Sequence, residues 1–246
     1  VPHCSNIVGV ENDVATVASI AHEVGARVIV DGVSFAPHTF PDVAALDVDV
    51  YLFSLYKTYS VHQGLMVTRR GVIEELPNQG HFFNAGTATG KLVPAGPDHA
   101  EIAAAGGIMD YYDAVHAHHL DAAPADDVAM VRAVFDLFAR HEQTLMAPLV
   151  ELLHTKPDVH LVGTPSSAHA DRAPTLGFWT PASTSAEIYR ALIDAGIACG
   201  HGNFYARRLV SALGLDPADG VVRLSMVHYN TAAEVSRALE VLDTVL

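Results

Sequence analysis

Cysteine, lysine, basic charge and long apolar runs are all scarce in this chain. The two cysteines, Cys4 and Cys199, are too few for a disulfide framework or a four-ligand zinc site, and free thiols suit a reducing compartment. No apolar run approaches the roughly eighteen residues of a membrane span, and no basic, apolar, small-residue signal opens the chain. The expectation is a cytoplasmic protein with no membrane partner. Fourteen Lys plus Arg stand against 28 Asp plus Glu, a formal charge of −14, so a nucleic-acid backbone is repelled across most of the surface. An anionic ligand must instead be held by a few local donors: helix N-termini, hydroxyls or a single cation. Charged residues make up only 17% of the chain and hydrophobic ones 50%, which excludes a disordered tail, a coiled coil and a collagen-like fibre. What is there is enough, over 246 residues, for one large α/β domain or one and a half.

The opening residues Val1-Pro2-His3-Cys4-Ser5-Asn6 read as a strand end running into a functional loop, and Val1 is not a methionine. The expectation is a chain that begins mid-domain. Asp13 is an N-cap for an apolar-periodic helix, Val14 to Val24, closed by Gly25. Arg27 to Val30 is a short β-branched run ending in Asp31-Gly32, as a buried parallel strand would. A second run, Val48 to Phe53, ends in Ser54-Leu55-Tyr56-Lys57, and a third, Leu65 to Thr68, follows a glycine. This alternation predicts a parallel βαβ architecture, in which ligands gather outside the C-terminal ends of strands. Asp31 and residues 54–57 fall at such ends.

Residues 78–98, with Gly80, Gly86, Gly90, Pro94, Gly96 and Pro97, read as a long functional loop. Helical patterns follow over 99–115 and 126–153, the second long enough to bridge two domains. Beyond Pro157 short strands alternate with capped helices: Ser183 or Thr184 precedes one, and a Thr231-x-x-Glu234 capping box precedes Val235 to Leu246. The chain thus divides into residues 1–125, part of a larger sheet domain; a connecting helix, 126–156; and a small α+β domain, 157–246.

Only three lysines occur, Lys57, Lys91 and Lys156. Lys57 ends an apolar strand between Tyr56 and Tyr59, where desolvation would favour a neutral amine able to form a Schiff base; a snorkelling surface lysine is the other reading. Asp31 lies one βα step earlier, so adjacent strands can bring the two together. A carboxylate there can keep a pyridinium nitrogen protonated, or it can simply cap the next turn.

Taken in order, "SNIVG" (Ser5 to Gly9), "DGVS" (Asp31 to Ser34), "FSLYKTY" (Phe53 to Tyr59), "AGT" (Ala85 to Thr87) and "VVRLSMVHYNT" (Val221 to Thr231) resemble the class V aminotransferase and cysteine desulfurase family. These are fold type I enzymes that use pyridoxal 5′-phosphate. The resemblance covers nearly all of the chain. It implies part of a large, mostly parallel mixed-sheet domain followed by a small α+β domain, and a PLP-dependent transferase or lyase acting on an amino acid.

Residue by residue, Lys57 resembles the lysine of the internal aldimine and Asp31 the acid on the pyridine nitrogen. Asn6 is similar to the asparagine near the phenolic oxygen, and Ser34 stands where many members place a glutamine facing the ring. Ser54 and Tyr56 match the serine and histidine of "SGHK" that hold the phosphate. Thr87 resembles the threonine that reaches the neighbouring subunit's cofactor, which implies a homodimer with shared active sites. Arg223 matches the arginine that pairs with the substrate carboxylate. In the family an earlier segment supplies the ring stacked on the cofactor, so this stretch alone is expected to bind it incompletely and to expose apolar sheet surface.

One departure bears on the reaction. Desulfurases carry a nucleophilic cysteine in a pattern like "RTGHHCA", whereas the matching stretch here is Cys199 to Ala206, with Tyr205 at the cysteine position and Gly200 at the arginine position. A phenol holds no persulfide, so transamination, β-elimination and sulfur removal all stay open. Cys199 follows an apolar strand expected over Gly196-Ile197-Ala198 and reads as a small buried side chain. His201 and His228 fall in the loops that resemble the active site, each an imidazole able to pass protons near neutral pH. His116, His118 and His119 read as a polar helix end, with no metal expected. A non-catalytic member serving as a scaffold is the alternative, against which Lys57, Asp31 and Arg223 stand together.

Overall fold

The computed structural model describes residues 1–93 and 96–246; Pro94, one of the loop prolines named above, lies outside the described residues. The chain forms two compact units, Val1–His3 with Asn12–Val134, and Cys4–Glu11 with Phe135–Leu246. The opening loop therefore belongs with the second unit, while the residues just before and after it belong with the first.

In the first unit Asp13 caps α1 (Val14–Glu23) by accepting from the Thr16 amide, and Gly25 follows in the left-handed region. Val14 and Ala18, four residues apart on one face, pack with Val28, Val30, Val48 and Tyr51 into a core. The sheet runs β1 (Ile29–Asp31), β2 (Val50–Ser54), β3 (Gly64–Thr68). β1 and β2 are parallel. β3 is antiparallel to β2, with Ser54 opposite Gly64, so the sheet is mixed, as expected. The reason is length: residues 55–63 are fewer than the dozen or so that a parallel crossover needs. Leu65, Met66 and Val67 of β3 are exposed.

Asp49 anchors the start of β2. It is 2% exposed and accepts from the Val28 amide (2.8 Å), His22 Nε2 (2.9 Å) and Arg27 Nη1 (3.1 Å). Burial opposes its ionisation, but the bonds from His22, Val28 and Arg27 outweigh that and hold its carboxyl at about 2. After β3 come α2 (Arg70–Glu75), two 3-10 turns at Phe82–Asn84 and Ala88–Gly90, α3 (His99–Ala104) and α4 (Gly107–His119). The single helix expected over 99–115 is thus two, parted at the poor helix formers Gly106 and Gly107. Lys91 Nζ donates to the carbonyls of Ile73, Glu74 and Leu76, a cation satisfying the end of α2.

A helix of 29 residues, α5 (Asp127–Thr155), contributes its first turns to the first unit and the rest to the second. In the second unit α5 is followed by β4 (His160–Val162), β5 (Thr175–Trp179), α6 (Ser185–Asp194), β6 (Gly200–Gly202), α7 (Arg207–Ala212), β7 (Val221–Ser225) and α8 (Ala232–Val245), and Leu145, Leu149 and Leu153 of α5 pack against residues of β5, α6, β7 and α8. Phe178, Leu192, Val222, Leu224 and Leu242 belong to a large core of this unit. The sheet order is β4-β5-β7-β6, antiparallel throughout. Both expected helix starts form complete capping boxes, Thr184 with Glu187 and Thr231 with Glu234. The strand expected at 196–198 does not form there. Gly196, in the left-handed region, closes α6, with the Ile197 amide returning to the Leu192 carbonyl, and the strand starts only at Gly200.

Arg172, fully buried, donates to the carbonyls of Thr164, Val8 (2.9 Å) and Thr175 (2.6 Å). It thereby ties the 4–11 segment to the body of the second unit. Among the described residues no helix is long and apolar enough to cross a membrane.

Candidate active site

The first unit gathers its candidates at the C-terminal ends of two adjacent parallel strands. Asp31 ends β1 and lies opposite Leu52 of β2; two residues further, Ser54 ends β2 and leads into the 3-10 turn Leu55–Thr58 that carries Tyr56 and Lys57. The turn sends Leu55 and Thr58 inward and leaves Tyr56 and Lys57 outward. Lys57 is exposed, and among the described residues it makes no hydrogen bond or ion pair; the expected desolvation is not found in this structure. The Tyr56 ring stacks on His62 at 4.5 Å. Tyr59, two residues after Lys57, adopts φ +71°, uncommon for a bulky side chain, and its hydroxyl donates to the Pro37 carbonyl at 2.6 Å.

Asp31 is also exposed, and its Oδ1 accepts from the Val33 amide at 3.0 Å, so it caps the turn leading to Ser34. Gly32 is required in that turn because a Cβ there would lie 2.2 Å from the buried Tyr51 ring. Tyr51 Oη pairs with His3 Nδ1 at 2.8 Å, and the His3 ring stacks on Phe35 at 3.5 Å. Burial lowers His3 to about 4, which keeps a neutral imidazole under the turn near pH 7. Ser34 is half-buried. Thr87 is exposed, and its Oγ1 accepts from the Gly90 amide, capping a 3-10 turn.

The second unit holds Asn6, His201, Tyr205 and Arg223, and here the groups bind one another. Asn6 Nδ2 donates to the Phe204 carbonyl at 2.9 Å, and Arg223 Nη1 donates to the Asn6 carbonyl at 2.8 Å. The Arg223 guanidinium lies 4.1 Å from the centroid of the Phe204 ring. Phe204 and Tyr205 are consecutive left-handed residues, φ +47° and +66°, a concentration of strain of the kind found at functional loops. The same backbone projects Tyr205 wholly into solvent. His201, on β6, lies 4.6 Å from the Tyr189 ring, and its Nδ1 is buried without a partner among the described residues. Cys199 is half-buried, and burial raises its thiol, the condition of an unreactive cysteine. His228 stacks on Phe138 at 3.6 Å.

His116 is buried in the last turn of α4, and no group of three metal-ligating side chains occurs among the described residues. A cleft of about 220 Å³ in the second unit, bordered by Ile197, Met226, Glu234 and Arg237, contains none of the candidate residues. Phe204 escapes a reading of the sequence because it carries no polar or titratable group, and His3 because its partners Phe35 and Tyr51 lie far along the chain. The glycines flanking His201 were the available signal, since glycine within a strand marks close approach of another group.

An exposed amine, a carboxylate and two hydroxyls thus lie at adjoining parallel strand ends on an α/β scaffold. The chain belongs to the aminotransferase class-V family, whose profile matches residues 1–81 and 129–238, a family of pyridoxal-phosphate enzymes. It is 39% identical over 249 residues to an aminotransferase-like protein, FGM3, of Gibberella zeae, covering 99% of this chain and 58% of that protein. With a cysteine desulfurase-like protein, ustD, of Aspergillus flavus it shares 30% identity over 255 residues, 99% of this chain and 53% of that one. Among solved structures, the apo cysteine desulfurase of Thermococcus onnurineus matches with a TM-score of 0.82 at 21% identity, over 99% of this chain and 58% of that one. The Escherichia coli cysteine desulfurase CsdA matches with a TM-score of 0.78 at 23% identity, over 99% and 57%. These structures show the fold, fold type I. The chain spans little more than half the length of these relatives.

Proposed function

We propose that this protein is a pyridoxal-phosphate enzyme that acts on the amino group and Cα of an amino acid through Lys57. The observation that carries this reading is the placement of Lys57 and Asp31 at the C-terminal ends of two hydrogen-bonded parallel strands. The donor set fits the cofactor: a primary amine for its aldehyde, a carboxylate for its ring nitrogen, and the hydroxyls of Ser54 and Tyr56 for its phosphate in a chain whose net charge repels anions. When bound, pyridoxal phosphate supplies an electron-withdrawing ring that stabilises negative charge at Cα.

Lys57 Nζ would hold the cofactor and would move the proton at the substrate Cα. Asp31 keeps the ring nitrogen protonated, with Val33 fixing the carboxylate's direction. Ser34 would face the ring, Asn6 would serve its phenolic oxygen, Thr87 would serve the cofactor of a second copy in a homodimer, and Arg223 would orient the substrate carboxylate by its planar fork. His201 passes protons beside the substrate. Tyr205 stands where a sulfur-carrying thiol would be needed, which favours transamination or elimination over persulfide transfer. A cytoplasmic setting agrees with two free thiols.

The test is the visible absorbance of protein incubated with pyridoxal phosphate. A band that disappears in Lys57→Ala supports the assignment, and a band unchanged in that variant overturns it. Incubation with a panel of L-amino acids, assayed for keto acid, ammonia and sulfide, then separates the reactions.

A further inference from the structure

We infer that Phe204 is a positioning residue for Arg223, and that the turn it sits in sets how strongly the protein discriminates a carboxylate-bearing substrate from one without. This rests on the reading of Arg223 as the carboxylate-binding group.

Four observations within the second unit converge on it. The aromatic face lies 4.1 Å from the guanidinium carbon, inside the range where a ring quadrupole attracts a cation. Arg223 is half-buried, and burial disfavours its charged form; a π face is a partner that stabilises the charge without occupying an N–H. The phenyl ring reaches Arg223 across Gly200, the residue directly opposite Arg223 in the β6–β7 pairing, and a Cβ on Gly200 would lie 2.8 Å from the ring. The backbone beneath the ring is left-handed at Phe204 and Tyr205 and is held there by Asn6, whose amide grips the Phe204 carbonyl while its own carbonyl accepts from Arg223.

The consequence is a guanidinium fixed on one face by the ring and at Nη1 by Asn6, with its remaining N–H groups held in one plane. A planar carboxylate approaching that plane meets a fork already oriented, so less rotamer freedom is lost on binding. A long arginine side chain without the ring samples several rotamers and loses this advantage.

The experiment compares wild type with Phe204→Leu, which keeps an apolar side chain without a π face, and Phe204→Tyr, which restores the ring. The first readout is the NMR shift of the Arg223 δ and ε protons, which a ring at 4.1 Å displaces upfield. The displacement should vanish in Phe204→Leu and return in Phe204→Tyr. The second is the preference of the cofactor-loaded protein for L-alanine over ethylamine, its decarboxylated counterpart, measured by titration. That preference should fall about threefold to thirtyfold in Phe204→Leu, the span of a cation–π contact, and recover in Phe204→Tyr. Gly200→Ala, whose Cβ would crowd the ring, should reproduce the Phe204→Leu result. Arg223 resonances indifferent to Phe204→Leu overturn the inference whatever Arg223 does. A preference that stays intact in Phe204→Leu but collapses in Arg223→Lys overturns it while leaving the role of Arg223 standing. A preference unmoved by Arg223→Lys sinks both.

Discussion

The two units present their chemistry in opposite ways. In the first, Asp31, Ser54, Tyr56 and Lys57 are set out by the strands that end beneath them, and Lys57 and Asp31 are exposed, with no bond between them. In the second, Asn6, Phe204 and Arg223 hold one another through two hydrogen bonds and a cation–π contact. Groups placed by backbone geometry can be exchanged with little effect on folding, whereas groups placed by their neighbours couple function to stability. Each unit also has a buried polar residue that carries it, Asp49 in the first and Arg172 in the second.

Lys57→Ala gives the sharpest form of this contrast. Activity should fall by at least about a thousandfold, while stability changes by less than about 0.5 kcal/mol because the side chain is exposed; urea denaturation showing a loss above about 1 kcal/mol would remove the distinction. Arg172→Leu is the reverse case. It leaves the carbonyls of Thr164, Val8 and Thr175 without their donor and should cost about 3 kcal/mol or more, read by the same denaturation with cofactor absorbance as a control.

In the first unit Asp49→Asn should cost about 2 kcal/mol at pH 7. The Asp49 carboxyl is depressed from 3.8 to about 2 in the fold, so its contribution is present above pH 3.8 and disappears as the pH falls through about 2. Acid unfolding monitored from pH 5 to 2 should show wild type and variant converging, and a gap that persists at pH 2 counts against the assignment.

The smallest effect concerns Glu11 of the second unit, whose Oε1 is buried without a partner among the described residues. Burial raises its carboxyl from 4.5 to about 7. The folded state therefore binds the extra proton, and stability declines as pH rises from 4.5 to 7. Glu11→Gln should be near neutral at pH 5 and stabilising by about 1 to 2 kcal/mol at pH 8. A difference that does not change between those two pH values would mean Glu11 ionises freely in the fold.

Local signals were legible wherever one residue's chemistry decides an element. Asp13, Thr184 and Thr231 start helices because their side chains satisfy amides that nothing else reaches. The strand ends at Asp31 and Ser54 were visible in the β-branched runs before them. The break at Gly106-Gly107 was weaker in the pattern than its neighbours, and the strand after α6 was placed too early because apolar Ile197 and Ala198 look like sheet while Gly196 closes a helix. At the candidate site, titratable residues announced themselves and Phe204 did not, since a phenylalanine between an asparagine and a tyrosine reads as ordinary loop.

The order of residue types along the chain determined which side chains can do chemistry, where helices begin and which strands carry the reactive ends, because capping, β-branching and ionisation are properties of single residues and their near neighbours. Tertiary structure alone decided that residues 4–11 join the second unit and that a ring near position 204 meets a guanidinium at 223. Those outcomes depend on chain closure and on contacts between residues far apart in sequence, whose energies exist only once the segments have packed.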